Sequence, residues 1–354
     1  PQLQGGDWMC AIDLKDAYFH IPVTRKHRKF LRFIVGSTHY QYKVLPFGLK
    51  SAPRTFSKCM AVVAAHLRRQ KVFVYPYLDD WLIKAATPTL ATKHTLLCLQ
   101  VLSSLGLQVN LEKSTLTPVQ RIHYLGAVLD TQSERAFPSE ERLSSIRHKC
   151  RRLAHIPHPT ARTISSLLGS MASCIFLVPQ ARLRMRPLQQ CLEDQWNQRC
   201  YSWDSKVRLA PAALQSLPWW TRRANLMRGI SFHQTLPAQV LVTDASLQGW
   251  GAHMDSLQIQ GLWSDKERSY HINLLELRAV HLALKAFFPS IGGKSLLVQT
   301  DNTTTMYYLN KQGGTRSRPL SLEAQTIWKW LIAHDLALTA IHLPGEQNVQ
   351  ADLL

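Results

Sequence analysis

Apolar runs in the first 137 residues are short and are separated by turn residues. Runs of this length, rich in Val, Ile, Phe and Tyr, are typical of β-strands and hairpins. Two longer segments have helical periodicity instead; Pro53 suits the first turn of one, and Gly106 follows the end of the other. The pattern predicts strands at residues 10–13, 30–45 (a hairpin turning at Gly36-Ser37), 72–83 (a hairpin), 107–111 and 121–129, and helices at 53–69 and 88–105.

Beyond Pro138 the pattern changes to helices and then returns to alternating strands. A pair of prolines at 157 and 159 separates the helices, and three prolines mark the connection that follows. The last segment then predicts three antiparallel strands, a helix, a strand, two helices, a strand and a terminal helix, an order typical of a compact α/β unit. The chain is therefore predicted to be a mixed α/β (α+β) protein with four segments: 1–137, 138–198 (helical), 199–237 (the connection) and 238–354.

Acidic residues stand where predicted strands end. Asp13 ends the first strand, and Asp79-Asp80 occupies the turn of the hairpin at 72–83. Buried carboxylates are costly without a counter-cation, and Mg²⁺ is the usual cation that takes both carboxylate and phosphate oxygens. A solvated Asp-Asp turn remains the alternative. The last segment contributes four further candidate acids, Asp244, Glu276, Asp301 and Asp352.

The charge of the chain indicates a polyanionic partner. Lys and Arg number 42 against 23 Asp and Glu, a formal net charge of +19 with His neutral. Basic residues spread over several segments bind phosphates through counterion release, although a merely soluble basic surface is the alternative. Seven scattered cysteines without a C-x-x-C pair, no membrane-length apolar run and no signal peptide predict a reduced intracellular protein of the cytoplasm or nucleus.

Five motifs, in order, resemble the palm motifs of reverse transcriptases. Any one of them could be chance, whereas their order and spacing are specific. The motifs are Asp13-Leu14-x-Asp16-Ala17-Tyr18, Leu45-Pro46-Phe47-Gly48-Leu49-x-x-Ala52-Pro53-x-x-Phe56, Tyr77-Leu78-Asp79-Asp80, Gly106-Leu107 with Leu111-Glu112-Lys113-Ser114, and Tyr124-Leu125-Gly126.

This resemblance implies a role for each matching residue. Asp13 and Asp79 would bind two Mg²⁺ ions, or Mn²⁺, with Asp80 supporting them. Tyr18 would disfavour ribonucleotides as a steric gate, and Lys113 would protonate the departing pyrophosphate. A core position for Tyr18 and a surface position for Lys113 remain alternatives. The implied substrate-binding residues are Phe47 and Gly48, which would line the nucleotide pocket, with Phe47 in the form found in long-terminal-repeat elements, and Tyr124, Leu125 and Gly126, which would hold the primer.

The last segment resembles ribonuclease H. The stretch 341–352, which begins Ile341-His342-Leu343-Pro344-Gly345, is similar to the last motif of that family. The resemblance implies two metal ions that cleave the RNA strand of a hybrid. The residues implied are Asp244, Glu276, Asp301 and Asp352 as metal ligands, His342 for product release, and Asn348, which would hold the substrate loop.

The presence on one chain of a segment similar to reverse transcriptases and a segment similar to ribonuclease H resembles the arrangement in retroelement polyproteins. The implied fold is a polymerase palm with a helical thumb, joined to a ribonuclease H-like mixed five-stranded sheet with helices; Gly169 and Pro187-Leu188 match the thumb. Trp81 and Trp219-Trp220 favour the DIRS-type, tyrosine-recombinase retrotransposons. The implied activity is RNA-directed DNA polymerase with hybrid ribonuclease activity. The implied partners are an RNA template, a DNA primer, an RNA–DNA hybrid and deoxynucleoside triphosphates.

Two departures from the family leave other functions open. Little precedes Asp13, where the family has a fingers segment with basic residues that hold the triphosphate, and the sequence ends two residues after Asp352. The sequence is therefore interpreted as an incomplete copy with truncated fingers. The alternatives are a non-catalytic nucleic-acid-binding remnant and a chain in which only the ribonuclease H is active. The presence of all seven carboxylates argues against the remnant.

Overall fold

The computed structural model describes residues 3–197, 202–233, 236–292 and 295–347. They belong to two compact units, the first made of Pro1–Ser139 with Gly229–His233 and the second of Glu140–Arg228 with Gln234–Leu354. The predicted connection, 199–237, is thus divided between the units. The mixed α/β architecture predicted from the sequence is confirmed. Among the described residues, no helix has both the length and the apolar character needed to cross a membrane.

The first unit contains ten strands and three helices in its described part. A short 3₁₀ helix, Ala17–His20, follows the first strand. The elements are β1 (Trp8–Asp13), α1 (Arg25–Arg28), β2 (Arg32–Val35), β3 (Thr38–Gln41), α2 (Ala52–Arg69), β4 (Phe73–Tyr77), β5 (Asp80–Ala85), α3 (Pro88–Ser104), β6 (Thr115–Val119), β7 (Arg121–Tyr124), β8 (Ala127–Asp130), β9 (Arg135–Pro138) and β10 (Ile230–Ser231).

The central sheet of this unit is antiparallel, with strand order β4-β5-β1-β6. Apolar residues of α2 and α3 pack against one face of β1 and β5, where Phe56, Cys98 and Trp81 are completely buried. Met9 and Leu82 belong to a second apolar cluster together with Ile122 of β7. Because β1 and β5 are covered on both faces, their ends are held in fixed positions.

Two predicted strands differ from the structure. Residues 107–111 form no strand; they contribute only an isolated bridge between Val109 and Leu14. The strand forms later, as β6. The backbone of residues 107–111 instead bonds to the chain after β1, as in the hydrogen bond from the Lys15 N–H to the Gln108 carbonyl at 2.8 Å. The predicted strand 121–129 is a hairpin of β7 and β8, since Leu125 and Gly126 have φ values of 51° and 70° and turn the chain.

The second unit contains a helical bundle and a sheet. In the bundle, α4 to α7 share one apolar core in which Trp220 is completely buried. The elements are α4 (Glu140–Ala154), α5 (Ala161–Ala172), α6 (Ala181–Leu192), α7 (Pro211–Thr221), α8 (Arg223–Leu226), β11 (Gln239–Ala245), β12 (Gly249–Met254), β13 (Leu257–Leu262), α9 (Asp265–Arg268), α10 (Ile272–Phe287), β14 (Ser295–Thr300), α11 (Thr303–Asn310), α12 (Arg318–Ala333) and β15 (Ala337–His342).

The sheet of the second unit has five strands in the order β13-β12-β11-β14-β15. The hairpins β11-β12 and β12-β13 are antiparallel, whereas β14 runs parallel to both β11 and β15. Apolar residues of α10 and α12, among them Val280 and Ile327, pack against the sheet. This is the mixed five-stranded sheet that the sequence predicts.

Candidate active sites

Asp13 and the Asp79-Asp80 pair lie at the same end of the first sheet. Asp13 ends β1 and is directly opposite Asp80, the first residue of β5. The Leu14 N–H donates to the Asp79 carbonyl at 2.9 Å and continues the contact beyond the strand. Acids far apart in sequence therefore lie at the same end of the sheet.

The turn that presents Asp79 contains an uncommon backbone conformation. Tyr77 and Asp80 pair at the end of the β4-β5 hairpin, and between them Leu78 has a φ of 53°. A branched residue in the left-handed region is strained, and such strain concentrates at functional sites. The hairpin thus holds Asp79 at its tip although the backbone conformation of Leu78 is energetically unfavourable.

The carboxylates of this site repel one another. Burial, then the neighbouring charge of Asp79, raises the pKa of Asp13. Burial likewise raises the pKa of Asp80, with further increases from Asp79 and Asp13. The Lys113 ammonium lowers the pKa of both residues. A concentration of negative charge with one compensating Lys is the electrostatic environment in which a divalent cation is favoured.

Sequence reasoning missed Asn110, which contacts the same site. Its side chain lowers the pKa of the Asp13 carboxylate, and its Oδ1 accepts the backbone N–H of Lys113 at 3.4 Å. Ser114 completes the loop, since its Oγ accepts the Asp13 N–H at 3.0 Å and donates to the Asn110 carbonyl at 2.6 Å. The signal available in the sequence was the position of Asn110 directly before the motif that contains Lys113.

Tyr18 lies in an aromatic group beside the acids. Its ring centroid is 4.9 Å from that of Phe47 and 5.6 Å from that of Phe56. Phe56 is buried in the core, whereas Phe47 is 58% exposed. Burial and the charge of Asp79 raise the pKa of Tyr18, and Gly48, next to Phe47, has a φ of 88°. One side of Tyr18 is therefore core, and the other adjoins an exposed ring near the carboxylates.

Tyr124 uses its hydroxyl within the protein. The hydroxyl donates to the Tyr75 carbonyl of β4 at 2.9 Å, and burial raises the pKa of Tyr124. The turn that follows is more accessible, with Leu125 40% exposed. Of the three residues predicted to hold the primer, Tyr124 thus also joins β7 to the hairpin of the acidic site.

A second acidic group lies in the other unit. One carboxylate oxygen from each of Asp244, Glu276 and Asp301 lies within 4.8 Å of the others. Among the described His, Cys, Asp and Glu residues, no other group of three meets this distance, so Asp13, Asp79 and Asp80 are less tightly grouped. Asp244 belongs to β11, Asp301 follows β14 and Glu276, only 4% exposed, is on α10. Asn348 and Asp352 lie outside the described residues.

Two asparagines that sequence reasoning did not select connect the elements of this group. Asn302, next to Asp301, caps α11 by accepting the Thr305 N–H at 3.0 Å. Its amide donates to Asn273 Oδ1 of α10 at 2.9 Å, one helical turn before Glu276. His342 is exposed at the end of β15, opposite Thr300 of β14. An Asn directly before a helix is a common capping signal and could have identified Asn302.

Several known proteins similar to this chain are viral polyproteins. Residues 1–129 match the family model described as reverse transcriptase (RNA-dependent DNA polymerase). These residues are therefore similar in sequence to reverse transcriptase domains. The enzymatic polyprotein of Carnation etched ring virus is 25% identical over 361 residues, covering 97% of this chain and 50% of the relative. That of Figwort mosaic virus is 24% identical over 371 residues, with 99% and 51% covered.

The chain spans about half the length of these curated relatives. Among solved structures, a foamy viral protease-reverse transcriptase in complex with RNA/DNA hybrid gives a TM-score of 0.56 at 17% identity, with 96% of this chain and 45% of the other covered. Another, in complex with double-stranded DNA, gives 0.56 at 18% identity, with 96% and 57% covered. The chain therefore has a reverse transcriptase-like fold over most of its length.

The acidic group of Asp244, Glu276 and Asp301 suits a hard divalent cation. All three side chains offer carboxylate oxygens, the donors that Mg²⁺ and Mn²⁺ prefer. Glu276 is buried, where an ionised carboxylate is costly unless a positive charge lies close to it. The donor set of this second group therefore fits the metal that the sequence predicts.

Proposed function

We propose that this chain is an RNA-directed DNA polymerase that also cleaves the RNA strand of an RNA–DNA hybrid, with two Mg²⁺ or Mn²⁺ ions at each site. The observation that carries the proposal is the convergence of acids from separate motifs at two places, Asp13 opposite Asp80 and the group of Asp244, Glu276 and Asp301. When bound, the ions would lower the pKa of the attacking hydroxyl or water and neutralise charge on the phosphate oxygens.

In the polymerase reaction, the chain's own residues bind the cations, orient the primer and nucleotide, and exclude a ribonucleotide. Asp13 and Asp79 hold the cations, and Asp80 adds negative charge beside them. Lys113, whose charge already acts on Asp13 and Asp80, donates a proton to the leaving pyrophosphate. Tyr18 presents its ring to the sugar 2′ position and excludes a hydroxyl there, with Phe47 and Gly48 beside it and Leu125 and Gly126 at the primer.

In the hybrid-cleaving reaction, Asp244, Glu276 and Asp301 supply the ligands. Asp352 is proposed as the fourth ligand and Asn348 as a support of the same loop. His342, on the strand beside Thr300, assists product release. A charge of +19 supports tight, salt-sensitive binding of the template, primer and hybrid.

The test is an incubation of the purified chain with labelled RNA–DNA hybrid and Mg²⁺, with and without deoxynucleotides. Primer extension with deoxynucleotides and RNA cleavage without them are expected, and both activities are expected to disappear with a chelator. Binding that persists with the chelator while neither reaction occurs with Mg²⁺ would instead support a non-catalytic binding protein.

One observation favours a second candidate function, hybrid cleavage alone. The nuclease acids meet within 4.8 Å, whereas Asp13, Asp79 and Asp80 do not form such a group. Under this alternative, the same incubation yields RNA cleavage and no extension. Deoxynucleotide-dependent extension of the primer excludes it.

We further propose a retrotransposon origin of the DIRS type and a cytoplasmic or nuclear location. Trp81 and Trp219-Trp220 support the subclass through the sequence resemblance. Trp81 and Trp220 are completely buried, so their contribution is to packing rather than to base stacking. Localisation of a tagged full-length element tests the compartment.

A further inference from the structure

Two helices of the second unit cap each other. Gln312, just after α11, has a side-chain Oε1 that accepts the Leu183 N–H in the first turn of α6 at 3.1 Å. In the opposite direction, the Arg186 guanidinium of α6 donates to the carbonyls of Lys311 and Gln312. Each helix thus satisfies orphan backbone groups at the end of the other.

At each of these two helix ends, local capping leaves backbone groups that the other helix's side chain then bonds. Gln180, the residue before α6, makes no side-chain capping bond. At the end of α11, the Gln312 and Gly313 N–H groups bond to Leu309 and Tyr308 in a Schellman arrangement, which leaves later carbonyls to an external donor. A guanidinium at a helix C-terminus also interacts favourably with the helix dipole.

Gly313 lies beside the Arg186 side chain. Gly313 has a φ of 102°, and a Cβ there would lie 3.5 Å from Arg186 Nε and 3.1 Å from Ser321 Oγ. The Arg186 side chain is further fixed by donation from its Nη1 to Gln189 Oε1 at 3.0 Å. Glycine suits this positive φ, and the Arg186 guanidinium is held beside it by hydrogen bonds to Lys311, Gln312 and Gln189.

Helix α11 connects this contact to the nuclease acids. It has eight residues, so it is too short to be stable without its end contacts. Its first end follows Asp301 and is joined through Asn302 to α10. Its last residue, Asn310, bonds both backbone groups of Ala340 in β15, at 2.7 and 2.8 Å. Arg186 holds the same end from the α6 side.

We propose that Arg186 and Gln312 are positioning residues for the nuclease site, through which the helical bundle fixes α11 and hence Asp301. The inference rests on the proposed hybrid-cleaving function and adds residues outside every motif. Loss of the guanidinium frees two carbonyls at the end of α11, increases local opening of the helix and weakens the hold on the metal ligand at its other end.

The experiment compares Arg186→Met, Arg186→Lys and Gln312→Ala in the full chain. Arg182→Met is the matched control, because Arg182 lies on the same helix with its guanidinium 5.5 Å from the Phe176 ring. Three quantities are measured: amide hydrogen exchange of residues 303–313, hybrid cleavage as a function of Mg²⁺ concentration, and primer extension.

For Arg186→Met, exchange in α11 is expected to rise about tenfold relative to the core of α4 and α5. The Mg²⁺ concentration for half-maximal cleavage is expected to rise about tenfold, as for loss of other groups that orient metal ligands, while extension is unchanged. Arg186→Lys, which keeps the charge and one carbonyl bond, is expected to be intermediate, and Arg182→Met to match the wild type.

Equal exchange in Arg186→Met and Arg182→Met overturns the proposal. A uniform rise of exchange across the second unit also overturns it, because that result is plain destabilisation. A wild-type chain that cleaves no hybrid refutes the proposed nuclease function instead, and the exchange data still decide whether Arg186 positions α11.

Discussion

Asp13 faces Asp80 across the antiparallel pair of β1 and β5. Like charges directly opposite each other in a sheet are destabilising, and here Asp79 adds a third carboxylate beside them. Burial and mutual repulsion raise the pKa of both Asp13 and Asp80. This end of the sheet is therefore less stable than neutral side chains would make it, as expected for a site that binds cations rather than one that serves folding.

The first prediction concerns stability without metal. The folded-state pKa of Asp80 is above its unfolded value. Between these two pKa values the folded chain binds more protons than the unfolded chain, so its stability falls as the pH rises through this range. In the presence of a chelator, Asp80→Asn is expected to raise the midpoint of thermal unfolding at pH 7 by about 2 to 4 °C. The gain is expected to disappear at a pH below both pKa values, where wild-type Asp80 is also neutral.

Glu112→Gln is the control for this prediction, since Glu112 is exposed on the neighbouring loop. Calorimetry over a series of pH values measures the difference between the variants. An Asp80→Asn chain that is less stable than the wild type at pH 7 would show that the carboxylate makes a net favourable contact and would contradict the repulsion argument.

Local sequence signals predicted most of the fold. The hairpin of β4 and β5 follows from apolar residues around Asp79-Asp80, and Pro53 and Gly106 mark where α2 begins and where the chain leaves α3. The acids of the second unit were predicted because each follows a strand or interrupts an apolar helix face. In these cases, the information lies within a few neighbouring residues.

The elements and residues that were not predicted correctly depend on contacts between residues that are distant in sequence. Residues 107–111 do not form a strand, and their backbone bonds instead to the loop after Asp13. Leu125 has a left-handed conformation in the turn between β7 and β8, and a leucine in the sequence gives no signal of such a conformation. Asn110 and Arg186 belong to no motif, and their partners are known only once the chain is folded.

The second prediction concerns Tyr124. Removal of its hydroxyl in Tyr124→Phe leaves the Tyr75 carbonyl without this donor, and the free energy of unfolding is expected to fall by about 1 kcal/mol. Primer affinity in extension assays is expected to remain unchanged, because the hydroxyl is used inside the protein. Urea denaturation and the KM for primer measure the two quantities. A higher KM for primer with unchanged stability would assign the hydroxyl to the primer instead.

The third prediction concerns sugar discrimination. Tyr18→Val removes the ring that packs against Phe47 and opens space beside the carboxylates. The preference for deoxynucleotides over ribonucleotides, measured as the ratio of kcat/KM values, is expected to fall at least about tenfold. Tyr18→Phe retains the ring and is expected to retain the preference. An unchanged ratio in Tyr18→Val would mean that Tyr18 is only a core residue, the alternative that its contact with Phe56 keeps open.

The last prediction separates the two proposed activities within one chain. Asp79 and Asp244 belong to different compact units, so removal of one carboxylate leaves the other group intact. Asp79→Asn is expected to lower primer extension more than about 100-fold and to leave hybrid cleavage unchanged, and Asp244→Asn to do the reverse. Asp265→Asn, with its side chain fully exposed, controls for the substitution itself. Both activities surviving in both variants would refute the assignments, whereas loss of both in one variant would show that the sites act as one.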